Sequence, residues 1–218
     1  MSKVIVFGTN DFAQLAHFYL TSDSDYEVIA FTVNKNFKIQ DELLGLPVVE
    51  FDEIEKLFAP SDYSLFIPIS PSKMNINRTR LYSEAKLKGY KCISYISSKS
   101  IYYGTPVGDN CFIFENNVIQ PFTQIGNNVI LWSGNHIGHH SNIGDNCFVA
   151  SHAVISGHVV VQSNCFIGVN ATINNNLIIA ENTFIGAGAL ITSNTEPNSV
   201  YPGVKAEVSK IPSSKLKF

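Results

Sequence analysis

Five of the six histidines in this 218-residue chain, His136, His139, His140, His152 and His158, lie between positions 136 and 158. Imidazole ordinarily titrates near ~6.5, so it can take up or release a proton at neutral pH, and its neutral form ligates metals. Such a concentration serves general-base catalysis, metal binding, or nothing beyond a polar surface. Which of these applies depends on where the fold sends each ring.

A period of six sets that placement. Starting at Val107 and stepping by six, the chain reads Val107, Ile113, Ile119, Ile125, Leu131, Ile137, Ile143, Val149, Ile155, Val161, Ile167, Ile173, Ile179, Ile185 and Ile191 without interruption. Six matches neither the 3.6 of a helix nor plain strand alternation, but it matches a triangular prism in which every face is one short strand and one turn. Three faces make a coil of eighteen residues. At that spacing one corner repeats almost verbatim, as VGDNCF at 107–112, IGNNVI at 125–130, IGDNCF at 143–148, VQSNCF at 161–166 and IAENTF at 179–184. Asn110, Asn128, Asn146, Asn164 and Asn182 therefore stack one coil apart, where asparagine tolerates the left-handed backbone of a tight corner and amides can bond along the ~4.8 Å strand spacing. Phe112, Phe148, Phe166 and Phe184 form a second ladder. Cys111, Cys147 and Cys165 take an inward position with room only for a small side chain; with Cys92 they form no CxxC or Cys/His pattern, so buried free thiols are expected.

The coil also orders the histidines. Adding eighteen puts His158 over His140 and Gly157 over His139. Acyl transfer from a thioester needs a base for the proton of the attacking amine or hydroxyl, and a donor for the developing oxyanion. His139 can be the first and the Gly157 N–H the second. A trihistidine zinc site of the carbonic anhydrase kind needs histidines two coils apart plus a near neighbour. The intervals here, 3, 1, 12 and 6 residues, do not provide that, and no metal is expected. A third possibility is a non-catalytic assembly or binding module with merely exposed histidines.

The first hundred residues follow another rhythm. KVIVFG at 3–8, EVIAFTV at 27–33 and YSLFIPI at 63–69 read as buried strands, with helical stretches at 12–21, 52–58 and 77–87 and a further strand near 92–96. Alternating strands and helices predict a small parallel α/β sheet. Ligands collect outside the carboxyl ends of such strands, where Gly8, Asn10, Asp11, Asn34, Lys35, Ser70, Ser72 and Lys73 fall. The turn GTNDFAQL at 8–15 reads equally as a phosphate-contacting loop or as a plain turn with Asn10 or Asp11 capping the helix.

Composition narrows the class. A net charge of −3 and 15% charged residues, without any basic run, argue against nucleic-acid binding. No apolar run approaches the ~20 residues of a membrane span, and the N-terminus has no leader pattern, so a soluble cytoplasmic protein is expected.

The hexads, the preceding α/β region and the stretch NHIGHHSNIGDN at 135–146 together resemble the bacterial sugar acyltransferases that include the bacillosamine-pathway PglD acetyltransferase, the perosamine N-acetyltransferases and the NeuD-type sialic acid O-acetyltransferases. The resemblance covers nearly the whole chain and is strongest in the repeats. It implies a Rossmann-like sugar-nucleotide-binding domain over residues 1–100, an all-β left-handed parallel β-helix over 101–195 and a C-terminal tail over 196–218. It further implies a homotrimer with sites between subunits, acetyl-CoA as co-substrate, and a nucleotide-linked amino sugar of surface-glycan synthesis as acceptor, with O-acetylation as the alternative. His139 takes the place of the general base and Gly157 that of the amide facing the thioester. Phe148, Val169 and Ala187 would line the acetyl-CoA groove, and Gly168, Gly186 and Gly188 would let the pantetheine arm approach. Where the family often has a glutamate after the base, this chain has His140, an alternative base or the residue that orients it. GTNDFA stands where the family has a glycine-rich turn.

Overall fold

The computed structural model describes residues 2–215. The repeat region is the expected left-handed prism. Its strands are two residues long, and the second residue of each is the repeat aliphatic, from Ile113 to Ile191, buried in one continuous column with at most 5% exposure. From Phe112 to Ile191 the pairing is parallel at an offset of eighteen, as in Ile119 to Ile137 and Ile137 to Ile155. Three ladders result, of seven, six and four strands.

Each corner needs one residue with left-handed backbone, and it recurs every six positions. From Asn110 to Gly188 that place is held by Asn, Gly or His, including His140, His152 and His158, with the single exception of Phe122. Asparagine, glycine and histidine tolerate positive φ, whereas a bulky aromatic does not. The asparagine amides bond as anticipated from Asn110 to Asn128 and from Asn128 to Asn146, each at 2.8 Å. Asn164 and Asn182 keep the left-handed backbone, while among the described residues their side chains form no bond along the ladder. The inward cysteines are free and buried, their thiols donating to carbonyls of the next coil, and burial pushes Cys92 and Cys111 up to about 12. They are packing groups, not nucleophiles.

The first domain is a sheet of β1 (Ser2–Phe7), β2 (Tyr26–Val33), β3 (Glu42–Leu43), β4 (Leu46–Glu50), β5 (Ser64–Phe66) and β6 (Lys91–Cys92), in the order β3-β4-β2-β1-β5-β6. All neighbours are parallel except the β3–β4 hairpin, which sequence patterning did not reveal. Helices α1 (Asp11–Ser22), α2 (Ile54–Leu57) and α3 (Ile76–Leu87) connect the strands. The strand expected near 92–96 is divided. Lys91–Cys92 closes this sheet, while Tyr95–Ile96 already pairs with Phe112–Ile113 as the first rung of the prism, so the strand ladder begins before residue 101. At the other end, Val200–Tyr201 pairs with Phe184–Ile185 and carries the ladder into the expected tail.

The two domains share a core. One prism face carries outward Phe112, Ile130 and Phe148, and these pack with Val4, Val6 and Phe66 of the sheet and Ala13, Ala16 and Leu20 of α1. Phe66 meets Phe112 edge-on at 5.1 Å, and Tyr19 meets Phe114 at 5.2 Å. Arg78 of α3 is wholly buried and donates to the carbonyl oxygens of Asn146 at 2.9 Å and Cys147 at 3.1 Å, an anchor between a helix and the prism. Burial pulls its guanidinium down to about 10. Asn110 grips the backbone of Ile67 from the other side, accepting its N–H at 2.9 Å.

Asp23, at the end of α1, ties the domains through the first coil. It accepts from Ser98 N–H at 2.9 Å, Tyr95 Oη at 2.5 Å and Ser97 Oγ at 3.2 Å, as well as from the Ser98 hydroxyl. The Ser98 and Tyr95 hydroxyls foremost hold its carboxyl down at about 2. A carboxyl lowered on folding adds stability that is complete above its unfolded value of ~3.9 and is lost as pH falls through the folded value. Thermal melts of Asp23→Asn should show a loss of about 1 kcal/mol or more at pH 7. That difference should shrink between pH 4 and pH 2, as the native protein loses the same contribution.

Candidate functional site

The histidine corner lies between the six-strand and the four-strand faces, after Ile137 and after Ile155. Three of the five rings converge there. His139 Nδ1 is 3.1 Å from His140 Nδ1, the rings of His139 and His158 are 5.1 Å apart, and His140 and His158 stack at 4.8 Å with 12° between their planes. All three are exposed. His136 projects from a strand and His152 sits at a different corner, against Gly134, so neither joins the group.

His139 is held by its surroundings. Its backbone N–H donates to Gln120 Oε1 at 2.9 Å, and its ring lies directly against Gly157. A Cβ on Gly157 would come within 2.8 Å of His139 Cε1 and 2.9 Å of Nε2. The carbonyl of Gly157 accepts from Asn176, while among the described residues its N–H has no partner. A free backbone donor therefore sits beside an exposed imidazole, which is the pairing the coil period implied.

Phe122 completes the corner and escaped sequence reasoning. It is 72% exposed, has left-handed backbone at φ 67, unusual for an aromatic, and packs on His140 with centroids 4.7 Å apart and 33° between the planes. The signal was present in the register: position 122 belongs to the ladder otherwise filled by Asn, Gly and His. Strained backbone of this kind collects at functional sites.

The residues expected along an acyl-donor groove separate into two groups. Val169, Ala187 and Gly188 are exposed at the corner between the seven-strand and six-strand faces, and Gly188 has φ +68 with open space around it. Gly168 and Gly186 are buried. A Cβ on Gly168 would meet Ala187 N at 2.6 Å, and one on Gly186 would meet Gly203 N at 2.8 Å. Their missing side chains make room for the next coil rather than for a ligand. Phe148 corrects the expectation more sharply. It is 6% exposed, stacked on Phe166 at 5.5 Å within the interdomain core, so within this chain it is a packing residue and not a groove wall.

In the α/β domain a cleft of about 510 Å³ opens at the carboxyl ends of β1, β2 and β5. Gly8, Asn10, Asn34, Ser70 and Ser72 line it as expected. Gly8 has φ +110 and turns the chain from β1 toward α1. Asn10 takes the N-cap position without a side-chain cap bond, which leaves its amide to the cleft. Asn34 Oδ1 is buried without a partner. Asp11, Lys35 and Lys73 are not among the lining residues; Lys35 instead faces Glu50, Asp52 and Glu53. Thr9, Asn36, Phe37, Asn77 and Arg80 join the wall and were not foreseen, because loop and helix residues distant in sequence meet only after folding.

The repeats match the profile described as bacterial transferase hexapeptide (six repeats) over residues 104–139, 122–157 and 158–193. No curated protein matches the chain by sequence. Among solved structures, PerB from Caulobacter crescentus, in complex with CoA and GDP-perosamine, superposes with a TM-score of 0.82 at 22% identity, covering 96% of this chain and 98% of that one. The acetyltransferase domain of PglB from Neisseria gonorrhoeae gives 0.79 at 17% identity, covering 93% and 97%. WeeI from Acinetobacter baumannii AYE gives 0.64 at 20% identity, covering 92% and 93%. These likenesses span both domains and show that the α/β domain and the hexapeptide prism form one shared fold.

The glycines give a direct test of the corner. Gly168→Ala drives a methyl into backbone and should lower stability by about 1–3 kcal/mol in urea unfolding. Gly157→Ala meets an exposed ring that can swing away. Its stability should change by less than about 1 kcal/mol, while the His139 imidazole resonances in NMR shift as the ring is displaced.

Proposed function

We propose that the protein transfers an acetyl group from acetyl-CoA to the amino group of a nucleotide-linked amino sugar. The observation that carries this reading is the unpartnered Gly157 N–H directly beside the exposed His139 ring. His139 Nε2 takes the proton from the sugar amine as the new N–C bond forms. The thioester oxygen, now an oxyanion, receives the Gly157 N–H. When the tetrahedral intermediate collapses, the C–S bond breaks and the CoA thiolate leaves with the proton from His139.

His140 does the work of the family's glutamate. For Nε2 of His139 to accept a proton, its Nδ1 must carry one, and His140 Nδ1, 3.1 Å away, is placed to accept that N–H in the tautomer with its own proton on Nε2. Phe122 lies over the His140 ring, with centroids 4.7 Å apart, and supports it from the preceding coil.

The arrangement favours a homotrimer. The His139 corner and the Val169–Ala187 corner lie on different edges of one prism, so a groove bearing both the base and the donor-binding residues forms between adjacent prisms. Exposed Val154, Val160, Ile178 and Leu190 on the two faces left uncovered by the α/β domain suit such contacts. The nucleotide of the acceptor belongs in the α/β cleft, with Gly8, Asn10, Asn34 and Ser70 among its contacts. Among the described residues no helix is long and apolar enough to cross a membrane. This accords with a cytoplasmic step of surface-glycan synthesis that uses a soluble sugar nucleotide.

His139→Ala should lower kcat by about 10²–10⁴-fold in a free-thiol release assay, with the mass in solution and acetyl-CoA affinity unchanged. Unchanged turnover would reject His139 as the base. Across a panel of sugar nucleotides, turnover should require an amine; acetylation of hydroxyl sugars alone would replace the N-acetyltransferase reading with an O-acetyltransferase one.

A further inference from the structure

The histidine corner presents a second chemistry. His139, His140 and His158 each offer a ring nitrogen, and these atoms all lie within 4.8 Å of one another. The Nδ1 atoms of His139 and His140 are 3.1 Å apart. A tetrahedral zinc site with Zn–N near 2.0–2.1 Å has ligand nitrogens about 3.3 Å apart. The remaining distance closes by rotation of the three rings, all of which are exposed. Counting along the chain set His158 over His140 but led to no expected metal, because the intervals do not reach two coils and ring direction is not legible in the sequence.

We infer that His139, His140 and His158 form a three-nitrogen site for a borderline divalent ion, Zn²⁺ above all, whose occupancy switches the corner off. Three imidazoles and no carboxylate select Zn²⁺, Co²⁺, Ni²⁺ or Cu²⁺ over the oxygen-seeking Mg²⁺ and Ca²⁺. Ligation uses the neutral imidazole's lone pair. Ligation through Nδ1 of His139 leaves the ring's own proton on Nε2, the atom that would accept one from the sugar amine, and pulls the His140 ring out of its orienting contact. The switch rests on the acetyltransferase reading, whereas the metal site itself does not.

His158 is outside the proposed catalytic machinery, and its left-handed backbone, φ 58, suits asparagine, as at Asn164 and Asn176. The full-length protein and its His158→Asn variant are titrated with Co²⁺ and followed by d–d absorption, then competed with Zn²⁺. In parallel, thiol release is measured with Zn²⁺, with Mg²⁺, and after added chelator. One Co²⁺ per chain, displaced by Zn²⁺ and weakened at least about tenfold by His158→Asn, is the expected result. Zn²⁺ but not Mg²⁺ should inhibit the native enzyme reversibly, and the variant should keep its activity and escape inhibition. Absent Co²⁺ binding, or binding and inhibition indifferent to His158→Asn, overturns the site. Metal binding as expected in a protein that transfers no acetyl group keeps the site and overturns the acetyltransferase reading instead.

Discussion

In-register stacking of two-residue parallel strands around a single aliphatic column is the constraint from which the rest of the structure follows. Every sixth residue must point inward and be Ile, Leu or Val, as from Ile113 to Ile191. Every sixth residue, three places further on, must accept a left-handed backbone. The positions between these are free to vary in chemistry without disturbing the coil. His140, His152 and His158 occupy left-handed positions that asparagine fills elsewhere, so reactive rings are introduced where the backbone already tolerates them. His139, the residue before one such position, is turned across the ladder onto Gly157 of the next coil.

The same freedom joins the domains. The residue preceding each inward aliphatic points out, and on one face of the prism it is Phe112, Ile130, Phe148, Phe166 and Phe184 in succession. That apolar surface is covered by the α/β domain at its lower end, through Phe66 and α1. Arg78, buried without a carboxylate partner, is stabilised by carbonyl groups that the turn at Asn146 and Cys147 leaves directed at it. The aromatic ladder is thus the floor of an interdomain core, which removes Phe148 from the candidate groove and leaves the other two faces available for neighbours.

The corner is organised by contacts between coils. Phe122, His140 and His158 lie eighteen residues apart and stack as one column, with His139 set edge-on to the last two. An aromatic residue in left-handed backbone and largely exposed to solvent costs folding energy that the stack on His140 partly offsets. The equivalent place one coil beyond His158 is held by Asn176, which has the same left-handed backbone without an aromatic ring.

By itself the sequence determined the prism, its eighteen-residue coil, the inward cysteines, the left-handed asparagines and the pairing of His139 with Gly157, because a strict period converts chain distance directly into spatial neighbours. It also located the α/β sheet and several loop residues of its cleft, since strand ends collect such residues in any open parallel sheet. Tertiary structure alone decided what meets across elements with no common period. It buried Phe148 beneath the α/β domain, assigned Gly168 and Gly186 to coil packing, turned Lys35 away from the cleft and brought Arg80 into it. It also decided side-chain direction: the repeat puts His158 over His140, but only the folded rings show that their nitrogens converge with those of His139.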